Sequence, residues 1–288
     1  MRIPTLSKTL PGVAMLGVLV ALWAPTYIII TGLHGSPFVN YAICMVAGGV
    51  FLFCFRRDFR RSMLFPIVVT ALGYEVVPGA AIYVAAQHLH ASLVALASST
   101  FPLFMAIVQV VTQRRPLHRA FLPATLAALV FLWFAFGKPA IGAPEAPWLL
   151  LILAATSVWA LSTAAIAMPS TTDEALSISG YGKLVAGVLL LAFLPQAGVP
   201  PLTDVAWDIA MGLLASGVGA YVFVYLVRSE GAAFTGLIEP LNVATVLAAD
   251  ALTGVFVTAT QLVGTAGVLA CTAISVRTSA LDKAKDAP

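Results

Sequence analysis

Residues 79–106 read GAAIYVAAQHLHASLVALASSTFPLFMA, and residues 217–244 read GVGAYVFVYLVRSEGAAFTGLIEPLNVA. At a constant offset of 138, Gly79, Tyr83, Val84, Ala95, Pro102, Leu103 and Ala106 recur as Gly217, Tyr221, Val222, Ala233, Pro240, Leu241 and Ala244. Small and aliphatic residues coincide often by chance, so the Tyr and Pro pairs carry most of the weight. Each stretch covers the third and fourth of five apolar segments. Five is odd, so in a bilayer the second set enters with the opposite orientation to the first. Inverted repeats around a shared midplane are a usual construction of secondary transporters.

Composition makes the bilayer necessary. Of 288 residues, 60% are hydrophobic and 9% charged, and mean hydropathy is +0.99. Soluble domains are about 25% charged, so this chain has too little charge to cover a water-facing surface. The fold class expected is an all-α integral membrane protein. Many of the 22 Gly and 18 Pro fall inside apolar segments, as they do in membrane helices. Cys44, Cys54 and Cys271 lie in apolar spans without C-x-x-C spacing and read as small core residues. Arg2 and Lys8 precede the first apolar run, as in a signal peptide. That run is long enough to span and no A-x-A-like cleavage site follows, so it reads as a retained first helix.

A span takes about 20 apolar residues. Ten segments qualify: 11–32, 37–55, 64–86, 89–112, 119–137, 147–168, 176–195, 205–228, 231–255 and 259–277. They group as two five-helix repeats, residues 1–138 and 147–288, separated by the Gly/Pro-rich link from Lys138 to Pro147. With a cytoplasmic N-terminus, 13 of the 15 Lys and Arg residues fall inside, including Arg56, Arg57, Arg60, Arg61, Arg114, Arg115 and Arg119. Lys138 falls outside and Lys183 within a span. By the positive-inside rule both termini are cytoplasmic. The basic run at 56–61 reads as an orientation anchor. It lacks the groove-reading or stacking elements of a nucleic-acid surface, so no nucleic-acid partner is expected.

Four local patterns carry a family likeness. The first span holds Leu22-Trp23-Ala24-Pro25-Thr26-Tyr27, and the sixth holds Val158-Trp159-Ala160-Leu161-Ser162-Thr163. The fourth holds Ala91-Ser92-Leu93-Val94-Ala95-Leu96 and then Thr100-Phe101-Pro102-Leu103, and the ninth holds Ile238-Glu239-Pro240-Leu241. In this order and spacing they resemble the ten-helix EamA-like branch of the drug/metabolite transporter superfamily, over nearly the whole chain. The chain departs from that family after spans four and nine, where Thr112-Gln113-Arg114-Arg115 and Ala248-Ala249-Asp250-Ala251 stand, and in span two, which has Tyr41-Ala42-Ile43-Cys44-Met45 in place of a common Arg. The resemblance implies a multi-pass protein of a bacterial inner membrane that exports a small organic metabolite.

Ionisable groups near a bilayer midplane cost about 2.5 kcal/mol or more and face a cavity or a partner. Glu75 sits mid-span among Gly73, Tyr74, Val76, Val77 and Pro78. It is the first candidate for binding a substrate amine or cycling a proton, with a structural pairing to Lys183, or a carboxyl held neutral by hydrogen bonding, as the alternative. Lys183 either binds a substrate carboxylate or lifts its ammonium to the interface. Glu239, before Pro240, either serves a site or supports a broken helix, because Pro frees a backbone carbonyl. Asp250 reads as interfacial. Trp23, Tyr27, Tyr83, Trp159, Tyr181, Tyr221 and Tyr225 are candidate cavity walls, each with a packing or interface position as the alternative. Asn242 and Gln109 read equally as substrate ligands or as interhelical hydrogen-bond glue. The repeat breaks at Glu239, opposite Phe101, and at Glu75, opposite Leu213.

The function expected is secondary active transport of a small organic metabolite such as an amino acid, by alternating access and with protons as a possible coupling ion. A lipophilic-cation exporter is the first alternative. An intramembrane enzyme is remote: His34, His88, His90 and His118 lie in loops or near span ends, without H-E-x-x-H. No Walker A pattern, cofactor motif or metal-ligand set is present. The partners expected are the substrate, protons and lipid; oligomeric state has no signature in the sequence.

Overall fold

The computed structural model describes residues 12–55, 57–112, 114, 117, 119–136, 144–169, 171–252 and 258–286. Arg2, Lys8, Arg56, Arg115, His118 and Lys138, with part of the link between the halves, lie outside the described residues.

Eight helical rods are long and apolar enough to cross a membrane: α1 (Gly12–Thr31), α2 (Pro37–Phe55), α3 (Arg61–Ala86), α4 (Ala91–Thr112), α6 (Ala146–Ala167), α7 (Thr172–Leu191), α8 (Leu202–Ser229) and α9 (Ala232–Leu252). Between them in the chain, α5 (Phe121–Phe136) carries a shorter apolar stretch. The last helix, α10 (Ala259–Asp286), does the same over Leu262–Cys271. Large apolar side chains such as Phe65, Val111 and Leu252 point outward, as they do where lipid is the solvent.

Several rods are broken where their sequences release backbone carbonyls. Pro102 lacks an N–H, and just before it α4 is interrupted at Ser99 and Thr100. Three hydroxyls there turn back on the preceding helix: Ser98 Oγ donates to Val94 O, Ser99 Oγ to Leu96 O and Thr100 Oγ1 to Ala97 O. The same device serves α9, which breaks at Leu237, with Thr235 Oγ1 donating to Gly231 O.

A second kind of irregularity lies in α3 and α8. Thr70–Val76 and Gly212–Val218 are π-helical. At the end of the second segment the Gly219 N–H reaches back to Leu214. That releases the Ala215 carbonyl, which accepts the indole N–H of Trp23 at 2.9 Å. π segments of this kind gather at functional sites.

Helix packing is reciprocal. α2 lies along α7, α4 against α9, and α5 along α10. α2 also packs on α8 and α7 on α3; α1 packs on α8 and α6 on α3; α1 packs on α9 and α6 on α4. Adding five to each helix number in the first half carries every one of these contacts onto another or onto itself. One apolar cluster contains Tyr27, Tyr41 and Tyr83; the other contains Tyr74 and receives Trp23 and Trp159. A cavity opens at the seam between them.

Candidate binding cavity

The cavity has a volume of about 140 Å³, room for a small organic group about the size of benzene. Six sequence candidates line it: Glu75, Lys183, Trp23, Trp159, Tyr27 and Tyr83. Its wall is mostly apolar and aromatic with few polar groups, as in ligand sites generally.

Glu75 and Lys183 form its charged centre. Lys183 Nζ lies 2.7 Å from Glu75 Oε1, and both side chains are nearly inaccessible, at 4% and 3% exposure. The other oxygen, Glu75 Oε2, accepts from the Tyr41 hydroxyl at 3.1 Å. Both carboxylate oxygens are therefore partnered, and Glu75 is held between α2 and α7 from its place in the π segment of α3. The ring of Tyr41 packs on that of Tyr83 at 4.8 Å. It fits only because residue 79 is glycine: a Cβ there would stand on the Tyr41 ring.

Two tryptophans meet at the seam. Trp23 and Trp159 have ring centroids 5.7 Å apart. Trp23 stacks on Phe223, and Trp159 packs on Phe101 and edge-on to Tyr74. A Cβ at position 219 would lie 2.5 Å from Trp23 Nε1, so Gly219 is what lets α8 close on that indole.

Glu239 lies behind the wall. It is fully buried, and its Oε2 accepts from the Tyr27 hydroxyl at 2.7 Å and from Asn242 Nδ2 at 3.4 Å. Tyr27 thus presents its ring to the cavity and its hydroxyl to Glu239. Tyr27→Phe is expected to cost about 1–3 kcal/mol of stability, because Glu239 loses its shorter donor. A double-mutant cycle with Glu239→Gln, read by chemical denaturation in detergent, checks this; additive effects of the two changes refute it.

Tyr221 and Asn242 do not line the cavity. Asn242 serves Glu239, and Tyr221 packs in the cluster around Phe101 and Phe223. The π segments begin at Thr70 and Gly212, 142 residues apart, one helical turn more than the sequence echo. On that register Tyr221 is level with Gly79, and Tyr83 is level with Tyr225. Gln109 is interhelical glue, its Oε1 accepting from the Ala233 N–H at 3.0 Å. Tyr181 donates to the Arg57 carbonyl, away from the cavity. Asp250 is half-buried near the end of α9.

Two buried polar residues were not among the sequence candidates, and of these only Tyr41 lines the cavity. Tyr41 stood in plain view as a hydroxyl in an apolar span, a group that seeks a partner when buried. Asp208 is fully buried in α8; its signal was the Asp204/Asp208 spacing at the head of the segment.

Among curated proteins, none matches the chain in sequence. A solved structure described only as "Crystal structure of protein" is similar over 93% of this chain and 97% of its own, with a TM-score of 0.73 at 15% identity, a likeness of fold alone. Residues 146–277 match the model of the EamA-like transporter family. That match is a likeness of the second half to the EamA-like transporters, a family of membrane transporters within the drug/metabolite transporter superfamily.

Proposed function

We propose that the chain is a secondary active transporter whose substrate is a small zwitterion of the amino-acid type, bound between Glu75 and Lys183. The observation that carries this reading is the buried ion pair in the cavity wall. Removing one partner from such a pair strands a charge in a poor solvent for it. A zwitterion avoids that penalty. Its ammonium takes Glu75 while its carboxylate takes Lys183, so the pair opens with both charges still matched. Trp23 and Trp159 would hold the apolar part of the ligand. A lipophilic cation would satisfy Glu75 and leave Lys183 without an anion, which disfavours that alternative.

The architecture proposed is ten spans in two inverted repeats, residues 1–138 and 147–288, with both termini cytoplasmic. Reciprocal packing of α1–α5 and α6–α10 supports the repeat, and the distribution of Lys and Arg supports the orientation. Alternating access would rock the halves about the cavity. Export, proton coupling and a bacterial inner membrane complete the reading, on the family likeness.

The test is flux into proteoliposomes for a panel of amino acids and lipophilic cations, with and without a pH gradient, comparing wild type with Glu75→Gln. Zwitterion flux lost in the variant is the expected result. Flux whose rate and pH dependence are unchanged in Glu75→Gln would overturn the assignment, and flux of cations alone would replace the zwitterion by a cation.

A further inference from the structure

A further buried carboxylate stands apart from both Glu75 and Glu239. α2 and α8 run parallel, because their contacts advance together: Gly35 N–H donates to Asp204, Gly212 meets the Cys44 carbonyl, and Gly48 meets Ser216. That register sets Asn40 level with Asp208. Asp208 is 0% exposed and Asn40 1% exposed. No protein group hydrogen-bonds either oxygen of Asp208, nor either amide atom of Asn40. Asp204, one turn earlier on the same helix, is already engaged: its Oδ2 accepts from the N–H groups of His34 and Gly35, both at 2.8 Å.

We propose that Asp208 is a proton-binding site between α2 and α8, distinct from the Glu75–Lys183 pair. An ionised carboxylate without a donor is among the costliest groups to bury, and a bound proton removes the charge while supplying a donor. The groups within electrostatic reach are few. Asp204 faces it from its own helix, with His34 beyond; Cys44 faces it from α2 and Tyr83 from α3. Of these only His34 can become a cation, and it acts on Asp204 rather than on Asp208. A metal ion fits less well. Among the described residues no group of three His, Cys, Asp or Glu side chains is placed to hold one, and hard cations take more oxygens than this site offers.

The position suits proton exchange with the cavity. Cys44 and Tyr83, its neighbours, line that cavity, as does Met211 three residues further along α8. On the transporter reading, Asp208 would take up or release a proton as the α2–α8 seam loosens. The binding site itself does not depend on that reading.

Infrared difference spectroscopy of the purified full-length protein tests it without any substrate, so its outcome is independent of the flux assay. At neutral pH the wild type is expected to show a protonated-carboxyl stretch that shifts in D2O. The band should be lost in Asp208→Asn and kept in Asp204→Asn and Glu75→Gln. Asparagine is a neutral isostere of the protonated acid, so the fold should persist; Asp208→Glu, which should move the band, serves if it does not. No band in the wild type, or a band that neither Asp208 variant alters, overturns the proposal. Loss of the band when sodium replaces choline overturns it too, in favour of a metal ion.

Discussion

Lys183→Met is expected to destabilise the protein by about 3–5 kcal/mol, the cost of leaving one member of a buried ion pair uncompensated. Glu75 would keep only Tyr41, 3.1 Å away, in a site with 3% exposure. Glu75→Gln should also destabilise, since it strands the ammonium of Lys183. Methionine and glutamine approximate the lengths of the side chains they replace, so cavity formation contributes little and charge dominates. The informative variant is the double one. With both charges gone, nothing is left unpaired, and stability should return to near that of the wild type or above it. Transport should not return, because both anchors for a zwitterion have been removed. Denaturation midpoints in detergent and flux into vesicles measure the two effects separately. A double variant as unstable as Lys183→Met would show that the pair is not the source of the penalty. One that transports like the wild type would remove the pair from the binding site.

That pair also shows where a sequence stops speaking. Glu75 and Lys183 are visible in it individually, because a charge within an apolar run is conspicuous and must be accommodated. Their contact is not, since they are 108 residues apart and meet only through the rotation of α3 and α7 about their axes. The spans themselves are legible because lipid demands continuous apolar runs, and α1–α4 and α6–α9 follow the expected segments closely. The π segments leave no comparable mark. They begin 142 residues apart, one turn away from the register suggested by Gly79/Gly217 and Tyr83/Tyr221, so the sequence echo does not tell that Tyr83 lies on the cavity and Tyr221 does not. Asp208 is inconspicuous in the sequence because it lies near the head of its segment, where an acid reads as interfacial; its burial depends on how closely α2 approaches.

Gly79→Ala should produce a large effect for a single added methyl group. The added Cβ falls on the Tyr41 ring, and neither side has an easy retreat. The Tyr41 ring is packed against Tyr83 and its hydroxyl is bonded to Glu75, while Gly79 belongs to the helix that carries Glu75 itself. Overpacking of this kind costs about 1–3 kcal/mol. If Tyr41 swings away, a hydrogen bond to a charged group goes with it, about 1.5–3 kcal/mol more. Flux should then fall with the stability, because Glu75 is released from the position in which it faces Lys183. Two companions separate the causes. Tyr41→Phe keeps the ring and removes only the hydroxyl, so it should cost the hydrogen bond alone. Tyr41→Ala in the Gly79→Ala background makes room for the methyl group and should recover the overpacking cost while leaving flux low. Wild-type stability and flux in Gly79→Ala would mean that α2 and α3 part readily at this level. The close approach would then not be what fixes Glu75, and Lys183 alone would have to hold it.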